Sequence, residues 1–80
     1  MPGLQKRSLV LAGHRTSLAL EPEFWRTLEA MAAQENQSLA ALVAEIDSAR
    51  AAASPDRLLA SACRVAALEW ARTSPHCGPT

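Results

Sequence analysis

The sequence predicts a mainly α fold in which one short β-strand precedes three helices. Three observations lead to this prediction. Apolar and polar residues alternate over about residues 14–20, which is the period of a strand. Pro22 ends the alternation and suits the first turn of a helix. Two more stretches with helical periodicity follow, each after a polar boundary. Eighty residues form one small domain, so we expect residues 1–80 to fold together.

The strand-like segment has two distinct faces. Leu18 and Leu20 share one phase with Thr16, and the residues between them have the opposite phase. The phase of the apolar residues switches near Gly13. Glycine tolerates the positive φ of a turn or bulge. Residues 8–13 therefore either belong to one bent strand or form a second short strand, and the sequence leaves both possibilities open.

The first predicted helix spans about residues 22–35, because Phe24, Leu28 and Met31 recur at helical spacing. Asn36 is suited to a left-handed C-cap. The second helix spans about residues 38–52, with Ser38 as its N-cap.

The third helix spans about residues 55–73. Ser54, Pro55 and Asp56 resemble a helix start, with a cap, a proline in the first turn and an acid. We expect this helix to pack on the first two through its apolar residues, which are Leu58, Leu59, Ala62, Val65, Ala66 and Trp70. Trp25 and Trp70 are expected to pack in the core and not to stack on bases.

The composition suggests a homodimer. The apolar fraction is 49%, but 17 of these residues are alanines, so the core of one chain is small. A lone strand also leaves its backbone N–H and C=O groups unpaired. Antiparallel pairing of the strand with that of a second copy would satisfy them.

Charge is unevenly distributed along a chain with a formal net charge of zero. Residues 1–20 contain Lys6, Arg7 and Arg15 and no acid, whereas residues 21–80 contain five basic and eight acidic residues. A dimer that presented both N-terminal segments on one side would have a basic surface there.

Several functional classes are not indicated. Cys63 and Cys77 do not form the framework of a secreted disulfide protein, and no spacing resembles a zinc site. No segment approaches the length of a membrane span. No set of residues resembles a catalytic constellation. We therefore expect a cytoplasmic, non-enzymatic protein without a metal, a cofactor or a membrane partner.

The segment "RTSLALEPEFWRTLEAMAAQENQSLAALVAEI" resembles the ribbon-helix-helix domain of Arc/MetJ-type bacterial repressors, with "NQS" at the turn between the helices. The preceding "AGHRTS" and the later "SPDRLLASACRVAALEW" resemble a narrower group of small bacterial proteins with this domain. The resemblance implies an intertwined dimer with two core helices per chain, plus an additional C-terminal helix here. Such a dimer inserts a two-stranded ribbon into the major groove of DNA.

The resemblance also implies roles for individual residues. Base contacts are expected from the outward phase of the strand, namely Arg15, Ser17 and Ala19. Phosphate contacts are expected from Lys6, Arg7, His14 and Ser38. The core of the dimer is expected to contain Leu18, Leu20, Phe24, Leu28, Leu42 and Ile46.

Two functions are compatible with this interpretation. The first is a transcriptional regulator that binds double-stranded DNA. The second is a dimerisation or protein-interaction module, similar to an antitoxin, with the same fold and little DNA binding. Ala19 at an expected polar position and the acidic helices favour the second, whereas the acid-free N-terminal segment favours the first.

Overall fold

The computed structural model describes residues 3–73. The elements in chain order are β1 (Gln5–Leu11), β2 (His14–Leu20), α1 (Pro22–Gln34), α2 (Leu39–Ala53) and α3 (Leu59–Thr73). The predicted fold class is confirmed, since an antiparallel ribbon is followed by two helices and an additional C-terminal helix.

The ribbon is formed within one chain. β1 pairs antiparallel with β2, from Gln5 opposite Leu20 to Leu11 opposite His14. Pairing with a second copy stays a prediction, but the expectation of a single strand is wrong, because the chain contains both strands. The reason is the two-residue turn between them. Ala12 (φ 52°) and Gly13 (φ 85°) both have positive φ, as in the type I′ turns whose twist suits antiparallel strands.

The inner face of the ribbon covers the helices. Leu11, Leu18 and Leu20 are buried there, and Thr16 is half-buried, as the alternation of β2 predicts. β1 packs mainly against α2, and β2 packs against α3. The helices complete one continuous core with Trp25, Leu28, Met31, Ala32, Leu42, Val43, Cys63 and Ala67.

The connection between α1 and α2 has the predicted capping residues. Asn36 adopts φ 57°, and the N–H of Gln37 donates to the carbonyl of Ala32 at 3.0 Å, as in a Schellman motif. Ser38 caps α2, since its hydroxyl accepts from the N–H of Ala41 at 3.0 Å. These contacts satisfy backbone groups at both helix ends and fix the turn between the helices.

The predicted start of the third helix at Pro55 is wrong, because α3 begins at Leu59. Residues 54–57 form a turn in which the N–H of Arg57 donates to the carbonyl of Ser54 at 2.9 Å. The guanidinium of Arg50 holds this turn by donating to the carbonyls of Pro55 (3.2 Å) and Arg57 (3.0 Å). A serine-proline start signal also suits a type I turn with proline at its second position.

α3 packs against α1, α2 and β2, so the additional helix completes the core as expected. Its buried face differs from the prediction. Cys63 and Ala67 are fully buried, whereas Leu58 is 75% exposed and Val65 is 36% exposed. Trp70 is half-buried, and its indole N–H donates to Oε1 of Gln34 at 3.1 Å. None of the helices within residues 3–73 is long and apolar enough to cross a membrane.

Candidate nucleic-acid interface

The side of the ribbon that faces away from the helices is a small, continuous surface, which we call the outward face. It consists of three directly opposed pairs of residues, which are Lys6 and Ala19, Ser8 and Ser17, and Val10 and Arg15. Ala19 is half-buried and the other five residues are exposed. Side chains on one face of adjacent strands lie side by side, so the six side chains form one surface.

The outward face is basic although the chain is neutral. It contains no acid, and Lys6 and Arg15 form no ion pair within residues 3–73. Three other arginines, in contrast, are bound to carboxylates, namely Arg7, Arg50 and Arg64. The two unneutralised charges of the outward face are therefore available to an anionic partner.

The structure places the three predicted base-contact residues together. Arg15, Ser17 and Ala19 all project from the outward side of β2. The sequence prediction missed Ser8 and Val10, which β1 contributes to the same face. The available signal was the alternation of Leu9 and Leu11 before a glycine turn, which is typical of a hairpin.

Arg7 projects from the opposite side of β1 to Lys6. Its guanidinium Nη1 donates to Oε2 of Glu29 at 2.8 Å, and its Cζ lies 4.6 Å from the centre of the Trp25 ring. The predicted phosphate contact of Arg7 is thus on the inner face and engaged with α1. Trp25 is buried, and its indole N–H donates to the carbonyl of Gln5 at 2.8 Å. Both contacts fix the beginning of β1, and so the position of Lys6, on α1.

The remaining predicted phosphate contacts lie at two other places. His14 is exposed at the first position of β2, opposite Leu11. Ser38 is exposed at the N-terminus of α2, where its hydroxyl is already bonded to a backbone N–H of its own helix. The structure therefore brings neither residue into the outward face.

The residues predicted for a dimer core divide into two groups. Leu18, Leu20, Leu28 and Leu42 are buried within the single chain, whereas Phe24 and Ile46 are half-buried. Ile46 lines an open groove between α2 and α3, which we call the α2–α3 groove. Its apolar lining consists of Ile46, Ala49, Ala53, Ala62, Val65 and Ala66.

The end of the ribbon is tied to α3 by a charged contact. Arg64 Nε donates to Oε1 of Glu21 at 2.9 Å, and its guanidinium lies 5.8 Å from the ring of Phe24. The hydrogen bond from Arg64, with one from the backbone, lowers the pKa of Glu21. Glu21 makes no side-chain cap on α1, so its carboxylate serves this contact between elements.

Within residues 3–73 there is no group of three or more histidine, cysteine or acidic side chains that could hold a metal ion. Burial raises the pKa of the Cys63 thiol to about 11, which keeps this side chain protonated at neutral pH. Cys77 lies outside the described residues.

A family model described as "Ribbon-helix-helix domain" matches residues 4–71. The match covers the ribbon and nearly all of the three helices. The narrower resemblance based on "AGHRTS" stays a prediction. No curated protein and no solved structure was found to match the chain.

Proposed function

The chain belongs to the ribbon-helix-helix domain family, and we propose that it is a DNA-binding transcriptional regulator that contacts the major groove with its ribbon. The observation that carries this proposal is the outward face, where two unneutralised cations accompany small and polar side chains on an antiparallel ribbon. The major groove of B-DNA admits a two-stranded ribbon. The proposed role is binding and not catalysis, and in a bacterial cell it implies a cytoplasmic location.

The chemistry of the outward face suits base edges. Arg15 can donate two hydrogen bonds to guanine, Ser17 can donate or accept, and Ala19 can contact a thymine methyl group. We expect Lys6, at the other end of the same face, to contact a phosphate. Arg7 would contribute to DNA only after releasing Glu29, so we assign the main electrostatic contribution to Lys6 and Arg15.

We further propose that the regulator is a homodimer. Since β1 and β2 of one chain already pair with each other, a dimer does not require strand pairing between chains. The α2–α3 groove supplies apolar surface for a dimer interface, including Ile46 and Val65. Ile46, which is half-buried, was one of the residues predicted for the dimer core.

The alternative function is a protein-interaction module. The observation in its favour is exposed apolar surface in the helical part of the chain, where Leu58, just before α3, is 75% exposed and Leu68, on α3, is 54% exposed. A partner protein could cover this surface while the ribbon plays no part. The two functions differ in whether the outward face is needed.

A fluorescence anisotropy titration against fragments of genomic DNA, at low and physiological salt, tests the proposal. We expect binding that weakens with salt, because phosphate neutralisation releases counterions. Arg15→Ala should reduce affinity for a preferred fragment by about 1–3 kcal/mol per contact. Lys6→Ala should weaken binding to all fragments alike and lower the salt slope by about one unit.

The matched control is Arg72→Ala, which removes an exposed arginine of α3 without an ion pair in residues 3–73. This variant should bind DNA as the wild type does. If the wild type binds no fragment even at low salt, or if the Arg15 and Arg72 variants bind equally well, the outward face does not contact DNA. The interaction-module function would then be favoured.

A further inference from the structure

Val10 is an unusual residue of the ribbon. It is 57% exposed on the outward face, whereas the leucines of both strands project to the inner face and are buried or half-buried there. Among the six outward residues it is the only large apolar side chain. β-branched residues favour strands for local reasons, and single exposed apolar residues are common, so exposure alone would not imply a role.

The position of Val10 points to a specific role. Val10 lies directly opposite Arg15, the outward residue best suited to hydrogen-bond with guanine. No described element covers either side chain. A DNA base that Arg15 contacts would therefore lie close to the side chain of Val10.

We propose that Val10 is a specificity-determining residue that contacts the methyl group of a thymine next to the guanine contacted by Arg15. This inference rests on the proposed DNA-binding function. The thymine methyl is the one apolar group that bases present in the major groove, and apolar side chains are its usual partners. Contact between valine and the polar edges of other bases would be less favourable, because valine cannot form hydrogen bonds with their polar groups.

The spacing of the ribbon fits two neighbouring base pairs. Directly opposed side chains on one face have Cβ atoms about 4.5–5.5 Å apart. Successive bases of one DNA strand are separated by about 3.4 Å along the helix axis. The pair of Val10 and Arg15 therefore spans one to two base steps. The preferred site is expected to contain a thymine within two base pairs of the guanine that Arg15 contacts.

The test uses deoxyuridine, which lacks only the methyl group of thymidine. A preferred duplex is first selected from random DNA with the wild-type chain. Each thymidine of that duplex is then replaced in turn by deoxyuridine, and affinities are measured for the wild type, Val10→Ala and Val10→Ile. The isoleucine variant keeps apolar methyl groups at the exposed position, whereas the alanine variant removes them.

For the wild type, we expect one replacement near the guanine to lower affinity by about fourfold, the factor that corresponds to burying one methyl group. Val10→Ala should bind the thymidine and deoxyuridine duplexes equally. Val10→Ile should retain the difference. Circular dichroism melting should show that both variants are folded, as expected for a side chain that lies mostly in solvent.

The possible failures are distinguishable. If the wild type selects no preferred duplex, the proposed function fails, and this inference fails with it. If a preferred duplex is found but no deoxyuridine replacement lowers affinity, the inference alone is overturned. The same holds if Val10→Ala keeps the wild-type ratio between the two duplexes, because the methyl group is then contacted by another residue.

Discussion

The two-residue turn of the ribbon provides a direct test of pairing within one chain. Ala12 has φ 52° and Gly13 has φ 85°, a region that costs an L-residue roughly 1–2 kcal/mol. Asparagine tolerates this region better than alanine, and Asn-Gly is the preferred pair for a type I′ turn. Ala12→Asn should therefore stabilise the fold by about 1 kcal/mol, most of the penalty that alanine carries.

Gly13→Ala should have the opposite effect. A Cβ at this position would meet no atom within 4 Å, so no steric clash is added and only the backbone penalty remains. The expected loss is about 1–2 kcal/mol. Gly3→Ala is a matched control, because a Cβ there also meets nothing within 4 Å and its φ is not in the left-handed region.

Thermal unfolding followed by circular dichroism measures these effects. For a domain of this size, a change of 1 kcal/mol shifts Tm by about 4–8 °C. The melting temperatures should rank with Ala12→Asn highest, the wild type and Gly3→Ala equal, and Gly13→Ala lowest. Equal Tm values for Gly13→Ala and Gly3→Ala, with no gain for Ala12→Asn, would refute the turn. The strands would then pair in another way, such as between chains.

The other predictions concern contacts that hold the ribbon and α3 on the core. Trp25→Phe should destabilise the fold by about 1–3 kcal/mol, measured by urea unfolding, because it reduces the volume of a fully buried side chain and removes the indole donor to the carbonyl of Gln5. Arg64→Ala should lower stability at pH 7. Because the pKa of Glu21 is lowered in the fold, its contribution is present above the unfolded pKa and is lost as pH falls through the folded pKa. The difference between this variant and the wild type should therefore shrink in acid, leaving only the loss of the contact with Phe24, and a constant difference would contradict the reasoning. Cys63 should resist thiol reagents in the folded chain, tested in a Cys77→Ser background, and should react fully in urea. Rapid labelling of the folded variant would show that the thiol is accessible and contradict this expectation. Since the pKa of Cys63 is raised from 9.0 to about 11, the stability of the fold should also fall from pH 9 to 11, because the thiol of the unfolded chain ionises first.

Local sequence signals predicted the elements whose ends depend on neighbouring residues. Pro22, Asn36 and Ser38 define the ends of α1 and the start of α2 through contacts within a few positions. The inward phase of Leu18 and Leu20 follows from alternation alone. In each of these cases, the residues that determine the local structure lie in the same short segment as that structure.

The start of α3 depended on a more distant contact. Ser54 and Pro55 fit both a helix start and a turn. The guanidinium of Arg50 favours the turn by bonding two of its carbonyls. Its position on the last part of α2 is visible only once that helix has formed, so periodicity could not distinguish the two structures.

The sequence predicted four of the six residues of the outward face. The alternation of β2 indicated Arg15, Ser17 and Ala19, and the basic N-terminal segment indicated Lys6, whereas Ser8 and Val10 required the register of β1 against β2. The alanine of the turn concealed this hairpin, since Ala12 lacks the usual preference for positive φ. Charge alone could not show that Arg7 is engaged on the inner face while Lys6 is not, because Glu29, the partner of Arg7, lies 22 residues away.

Pairing within one chain changes the symmetry expected of the proposed DNA site. A ribbon built from two identical strands across a two-fold axis would present the same three side chains twice. The ribbon of this chain presents six side chains, with Lys6 and Ala19 at one end and Val10 and Arg15 at the other. The bases that one ribbon contacts should therefore lack internal two-fold symmetry. In the proposed dimer, any symmetry of the site relates two separate ribbons, so the spacing between half-sites would be set by the helical interface between chains and not by the ribbon itself.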